Sequence, residues 1–167
     1  MTEDPSKTQI LLARLVVVLM VAGVAVGVAL YGLSMPVFER IWQDILDRPG
    51  GPMTFRFILQ PVMATIAALR DGRKDARSGR APYLWAILTD PAQRGDRLRE
   101  GLIATARVLL LGLAMDLIYQ FIVFDTFHPA EAVIIAILLA FVPYLVARGL
   151  VARIARRWAG IDTRATR

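Results

Sequence analysis

An all-α polytopic membrane bundle, with four membrane-crossing helices and one amphipathic helix in the outer interface, is predicted for these 167 residues. Three observations lead there. Hydrophobic residues make up 56% of the chain while charged residues still make up 20%, so long apolar blocks must alternate with charged ones. The blocks approach or exceed the roughly 20 residues that a helix needs to cross a hydrocarbon core. The 20 Lys and Arg are also spread unevenly around the blocks, the bias that orients membrane proteins.

The first block, ILLARLVVVLMVAGVAVGVALYGL at 10–33, carries one charge, Arg14. Its 24 residues reach about 36 Å, and its apolar part is too long for a signal-peptide core, so a retained helix is expected. Gly23 and Gly27 form a small-xxx-small pattern suited to close helix packing. After Pro36, the residues Val37, Phe38, Ile41, Trp42, Ile45 and Leu46 recur at helical spacing, with Glu39, Arg40, Asp44 and Asp47 on the other side. That pattern fits a helix lying flat in the outer interface, or one packed on the protein's own surface.

The next block, 53–69, contains Arg56, Gln60 and Pro61, and hydropathy leaves it marginal. Positive-inside counting favours a crossing. With four helices, one side collects Lys7, Arg14, eight basic residues between Arg70 and Arg99, and six from Arg148 onward; the other keeps Arg40 and Arg48, with Arg56 at its boundary. The rival is a re-entrant or interfacial helix. The block at 101–124 holds Arg107 and Asp116, and the last, 132–147, runs into Arg148, which would snorkel while the helix continues. A tight turn at 125–131 containing His128 joins these two. The expected spans are therefore 10–34, 53–70, 101–124 and 131–151, with a basic inner loop at 70–100 and an inner tail at 152–167. In that loop, Asp90-Pro91 marks a turn, and Tyr83 and Trp85 would dip into the inner interface. Pro61 and Pro143 read as structural interruptions of their helices.

Function classes are narrowed mostly by exclusion. Zero Cys removes disulfides, thiolate zinc sites and iron–sulfur clusters, and one His removes two-His haem ligation. There is no Gly-rich phosphate loop, H-E-x-x-H or G-x-S-x-G. Neither metal nor cofactor is expected. The 71–77 stretch DGRKDAR looks like the opening motif of membrane CDP-alcohol phosphotransferases, but three residues rather than two separate Gly72 from Ala76, and no G-x-x-x-D-x-x-x-D follows. Nucleic acid is not an expected partner, because the basic residues flank membrane spans and topology accounts for the pI near 10.5.

Carboxylates inside a span are expensive and usually face a partner or cavity, which singles out Asp116. Tyr119 and Gln120 share its helix face. Counting inward from the outer ends of the second and third spans places Gln60 and Asp116 at about 10–12 Å, and Arg56 and Gln120 at about 5–6 Å. Arg56, Gln60, Asp116, Tyr119 and Gln120 are thus expected to form a polar seam between those helices. Arg14, Arg73, Lys74, Arg77, Arg80 and Arg107 are expected to fix topology or contact lipid headgroups, Arg14 and Arg107 as snorkelling anchors.

GPMTFRFILQP at 51–61, RDGRKDARSGRAPYLWAILTDP at 70–91, and AMDLIYQ, FHPAEA and VPYLVARG further on resemble a family of small bacterial integral membrane proteins. The resemblance implies a bacterial inner-membrane location and no assigned activity. Three functions follow as expectations: a non-catalytic accessory subunit bound to other membrane subunits or to itself; a small oligomeric transporter with Asp116 as proton or ion site; and a membrane enzyme or lipid-binding assembly factor. Membrane lipids are expected partners in each.

Overall fold

A computed structural model describes residues 5–51, 53–123 and 126–165 of the chain; residues 124–125, which include the start of the expected outer turn, and the end of the tail at 166–167 lie outside these described residues. The described residues form a helical bundle. Helices α1 (Lys7–Tyr31), α2 (Met35–Asp47), α3 (Arg56–Arg77), α4 (Tyr83–Thr89), α5 (Pro91–Val123), α6 (Pro129–Ala136) and α7 (Val142–Ala165) follow in order, with a 3-10 turn after α2 and a π-turn at Ile137–Phe141 joining α6 to α7.

Local chemistry explains the boundaries. Ser6 starts α1 with a reciprocal capping box: its hydroxyl accepts from the Gln9 amide at 3.2 Å, while the Gln9 side chain accepts from the Ser6 amide at 2.8 Å. Asp90 caps α5, accepting from the amides of Ala92 and Gln93 at 3.0 and 3.3 Å, and Pro91 occupies the first helical position, where its missing N–H costs nothing. The π-turn ends just before Pro143. A proline ring crowds the carbonyl four residues back, here Leu139, and the widened turn accommodates it.

Among the described residues three helices are long and apolar enough to cross a membrane: Lys7–Tyr31, Pro91–Val123 and the continuous Pro129–Trp158. Helix α3 has the length but carries Arg70, Asp71, Arg73, Lys74, Asp75 and Arg77 in its second half. Residue pairings fix the directions. Arg56 meets Asp116 and Asp75 meets Arg97, so α3 and α5 run antiparallel. Asp71 meets Tyr144 and Asp75 meets Arg148, so α3 and α7 run parallel. Helix α1 packs on α6 and α5, while α3 packs most extensively on α7 and also on α5.

Small residues make these approaches possible. The core between α1, α5 and the last helix is built on Ala13, Val16, Ala106, Leu109, Ala136 and Ala140. Gly23 and Gly27 face α6: a Cβ at Gly27 would stand 2.5 Å from that of Ala130, and one at Gly23 would stand 2.9 Å from Val133. On α3 the stripe Gln60, Ala64, Ala68 and Gly72 is buried at successive i+4 positions, and a Cβ at Gly72 would lie 2.9 Å from the Arg148 carbonyl oxygen.

Four sequence expectations need correction. The inner segment 70–100 is not a loop: α3 continues to Arg77, α4 forms at Tyr83–Thr89, and α5 starts ten residues upstream of the expected 101. Asp90-Pro91 is a helix start rather than a turn, because the carboxylate satisfies the exposed amides. Tyr83 does not dip into the interface but is fully buried, whereas Trp85 on the same helix is exposed. Arg148 does not snorkel; it is 4% exposed, because carboxylates on α3 and α5 meet it inside the bundle.

Candidate functional site

Two polar clusters lie inside this otherwise apolar bundle, at opposite ends of α3. The structure brings the expected seam residues together at the α3 N-terminus. Arg56 Nη1 donates to Asp116 Oδ1 at 2.9 Å, and both side chains are 0% exposed. Gln120, one turn along α5, donates to Asp116 Oδ2 at 2.8 Å and to the His128 carbonyl at 3.0 Å, and its Oε1 accepts from the His128 amide at 2.7 Å. The Arg56 guanidinium lies 4.6 Å from the Tyr119 ring centroid, a cation–π contact. Gln60 is buried beside them, but its amide meets Met115 Sδ at 3.8 Å rather than the carboxylate.

His128 is more than an exposed turn residue. Its backbone locks Gln120 from both sides, and its ring lies tilted against Tyr31 with centroids 4.8 Å apart. Nearby, Arg40 of α2 pairs with buried Glu131 at 2.6 Å and with Asp44 at 3.1 Å. That tether holds α2 to α6 while Phe38, Trp42 and Leu46 remain exposed on the same helix. An apolar face uncovered by its own protein fits the interfacial alternative for α2.

The second cluster is the one sequence reasoning missed. Arg148 grips Asp75 with two nitrogens, Nε at 2.7 Å and Nη2 at 3.0 Å, the fork geometry that makes guanidinium–carboxylate pairs strong. It also reaches Glu100 at 3.0 Å and the Tyr144 hydroxyl at 2.8 Å; that hydroxyl donates to Asp71 at 2.6 Å. Arg97 joins Asp75 at 3.2 Å, and Arg80 joins Glu100 at 3.0 Å. Three carboxylates (Asp71, Asp75, Glu100) thus balance three guanidiniums (Arg80, Arg97, Arg148). Tyr83 closes the cluster: its ring lies 4.0 Å from the Arg148 guanidinium carbon, and its hydroxyl donates to the Arg97 carbonyl. Burial pushes that hydroxyl up to about 12, so it remains a neutral donor.

The signal for this cluster was present in part. Asp75 continues the buried face of α3 beyond Gly72, and Arg148 follows a span directly. Five of its charged members, however, lie in a stretch whose many charges read as solvated.

The remaining expected headgroup residues Arg14, Arg73, Lys74, Arg77 and Arg107 are exposed, and Arg80 is 47% exposed despite its pairing with Glu100. Arg73, Lys74 and Arg77 crowd the last turns of α3, where cations also suit the helix dipole. Two hollows lie on the surface of the described residues. One, about 410 Å³, lies between α1, α5 and α6 and is lined by Leu19, Gly23, Leu110, Leu117 and Val133 among others. The other, about 650 Å³, lies between α1 and the first half of α5.

Chemically, the buried carboxylates are engaged by cations or amide donors. Among the described residues no group of three His, Asp or Glu side chains is placed to hold a metal ion. The arrangement can lock helices in register. Compared with models of protein families, with curated proteins and with solved structures, the chain matches none.

Proposed function

We propose that the protein is a non-catalytic structural or accessory subunit of a larger bacterial inner-membrane assembly, with α3 as a fourth span and both termini cytoplasmic. The α3 crossing is supported by the separation of the two clusters. Arg56 and Asp75 stand 19 residues apart on one helix, about 28 Å along its axis, close to the roughly 30 Å of a hydrocarbon core. Between them Ile58, Leu59, Val62, Met63 and Ile66 point outward and are exposed, as lipid-facing residues would be. Each cluster then sits near one membrane face. The basic residues gather at the end that carries Asp75, which the positive-inside rule assigns to the cytoplasm.

The observation that carries the accessory role is the openness of α1. Over its most apolar stretch 17% of the residues are buried, against 44% in α5 and 39% in the last helix. Val18, Val21 and Leu30 are each more than 60% exposed, and the hollow beside α6 adjoins this helix. Such a face suits another apolar helix. Transport through Asp116 finds less support: its carboxylate is fully buried against Arg56 and Gln120, and it lines neither hollow.

Photo-crosslinking in native membranes tests this reading. A photoreactive residue at Val21 is expected to capture one defined integral membrane protein, and the same residue at Ile58 on α3 is not. Capture of lipid alone at both positions, or ion flux in reconstituted vesicles that Asp116→Asn abolishes, would overturn it.

A further inference from the structure

The hollow at the inner end of α1 differs from the one beside α6 in carrying charge. Ile10, Ala13, Val17 and Val18 line one wall, and Leu98, Leu102 and Ile103 line the other. Arg14 enters from α1 and Arg99 from α5. Among the described residues no carboxylate lines the hollow and neither arginine makes an ion pair, whereas Arg80, Arg97 and Arg148 at this end are engaged by Asp75 and Glu100. Because α1 and α5 run in the same direction, the order along the hollow is fixed. Gly95 precedes Arg99 on α5 and Ile10 precedes Arg14 on α1, so both arginines stand toward the inner end, and Val17, Val18 and Ile103 lie deeper. A Cβ at Gly95 would meet nothing within 4 Å, so the mouth is open.

This is the layout of an amphiphile: cations where a headgroup lies, an apolar channel beyond. A second apolar helix is a poor occupant, since it would strip water from two arginines and offer them no counter-charge. We propose that this hollow holds one anionic phospholipid, its phosphate between Arg14 and Arg99 and an acyl chain along Val17, Val18 and Ile103. The guanidiniums suit a phosphate for the same reason they suit carboxylates, through paired N–H donors in a plane.

The test is native mass spectrometry of the full chain released from micelles containing phosphatidylglycerol, phosphatidylcholine or inorganic phosphate. Wild type is expected to retain one phosphatidylglycerol per chain and no phosphatidylcholine. Arg14→Gln with Arg99→Gln should lower that retention about ten-fold or more, given the loss of two headgroup cations. Gly95→Leu should lower it too, by filling the mouth without removing charge. It also improves helix propensity, so it keeps the test alive should the double variant misfold. Arg153→Gln, exposed on α7 and outside the hollow, should change nothing. Equal retention of phosphatidylcholine, undiminished phosphatidylglycerol in Gly95→Leu and the folded double variant, or displacement by millimolar inorganic phosphate would overturn the proposal; the last would mark a free-anion site instead.

Discussion

Replacing Asp75 with asparagine is expected to destabilise the bundle by about 3–5 kcal/mol, the scale for removing one partner of a buried ion pair. Asp75 is 1% exposed and is the carboxylate that Arg148 and Arg97 share. Glu100 also touches both, but its side chain is 37% exposed and it already serves Arg80, so it cannot neutralise two buried guanidiniums alone. Thermal unfolding in detergent should fall by roughly 10 °C or more. Asp75→Leu combined with Arg148→Met removes the pair while keeping volume, and should lose less than the single change, because apolar replacement of a buried pair is often near neutral. A wild-type melting temperature for Asp75→Asn would contradict this account of the cluster.

Reversing the charge at Arg56 should do still more. Arg56→Glu places two carboxylates against each other where neither is exposed, and the Tyr119 ring face turns from attractive to repulsive. Loss of monodisperse, fully helical protein is expected. The exchange Arg56→Glu with Asp116→Arg restores opposite charges across the same gap and should recover a substantial part of it, read by size-exclusion profile and helical circular dichroism. A stable Arg56→Glu protein would show that the pair does not hold α3 to α5.

How much of this could be read from residues alone depends on contrast with the surroundings. The outer cluster was legible because Arg56, Gln60, Asp116 and Gln120 are polar residues inside apolar stretches. Helical rise alone then matched their depths on antiparallel helices. Gln60 pairing with Met115 rather than Asp116 lies below the resolution of such counting. The inner cluster was not legible because Asp71, Asp75, Arg80, Arg97 and Glu100 stand among other charges, where composition cannot separate a buried carboxylate from a solvated one. The helix cap at Asp90 was the missed clue. Once Asp90-Pro91 starts a helix, Arg97 and Glu100 ride on α5 toward the bundle, and Tyr83 on α4 is turned inward rather than toward lipid. Glu131 was hidden differently: it reads as part of the outer turn although it lies at the start of α6, and its partner Arg40 comes from a helix whose polar face reads as solvent-facing.

Everything in the proposed topology depends on α3 passing through the bilayer between its two ionic ends. The chain has no Cys, so single cysteines at Gln43 and Ser78, both exposed, can be labelled with a membrane-impermeant maleimide in sealed vesicles of known orientation. With both termini cytoplasmic as proposed, a crossing α3 predicts that the Gln43→Cys protein reacts from the periplasmic side only and the Ser78→Cys protein from the cytoplasmic side only. Reaction of both from one side would place the two ends of α3 in the same compartment and contradict the account.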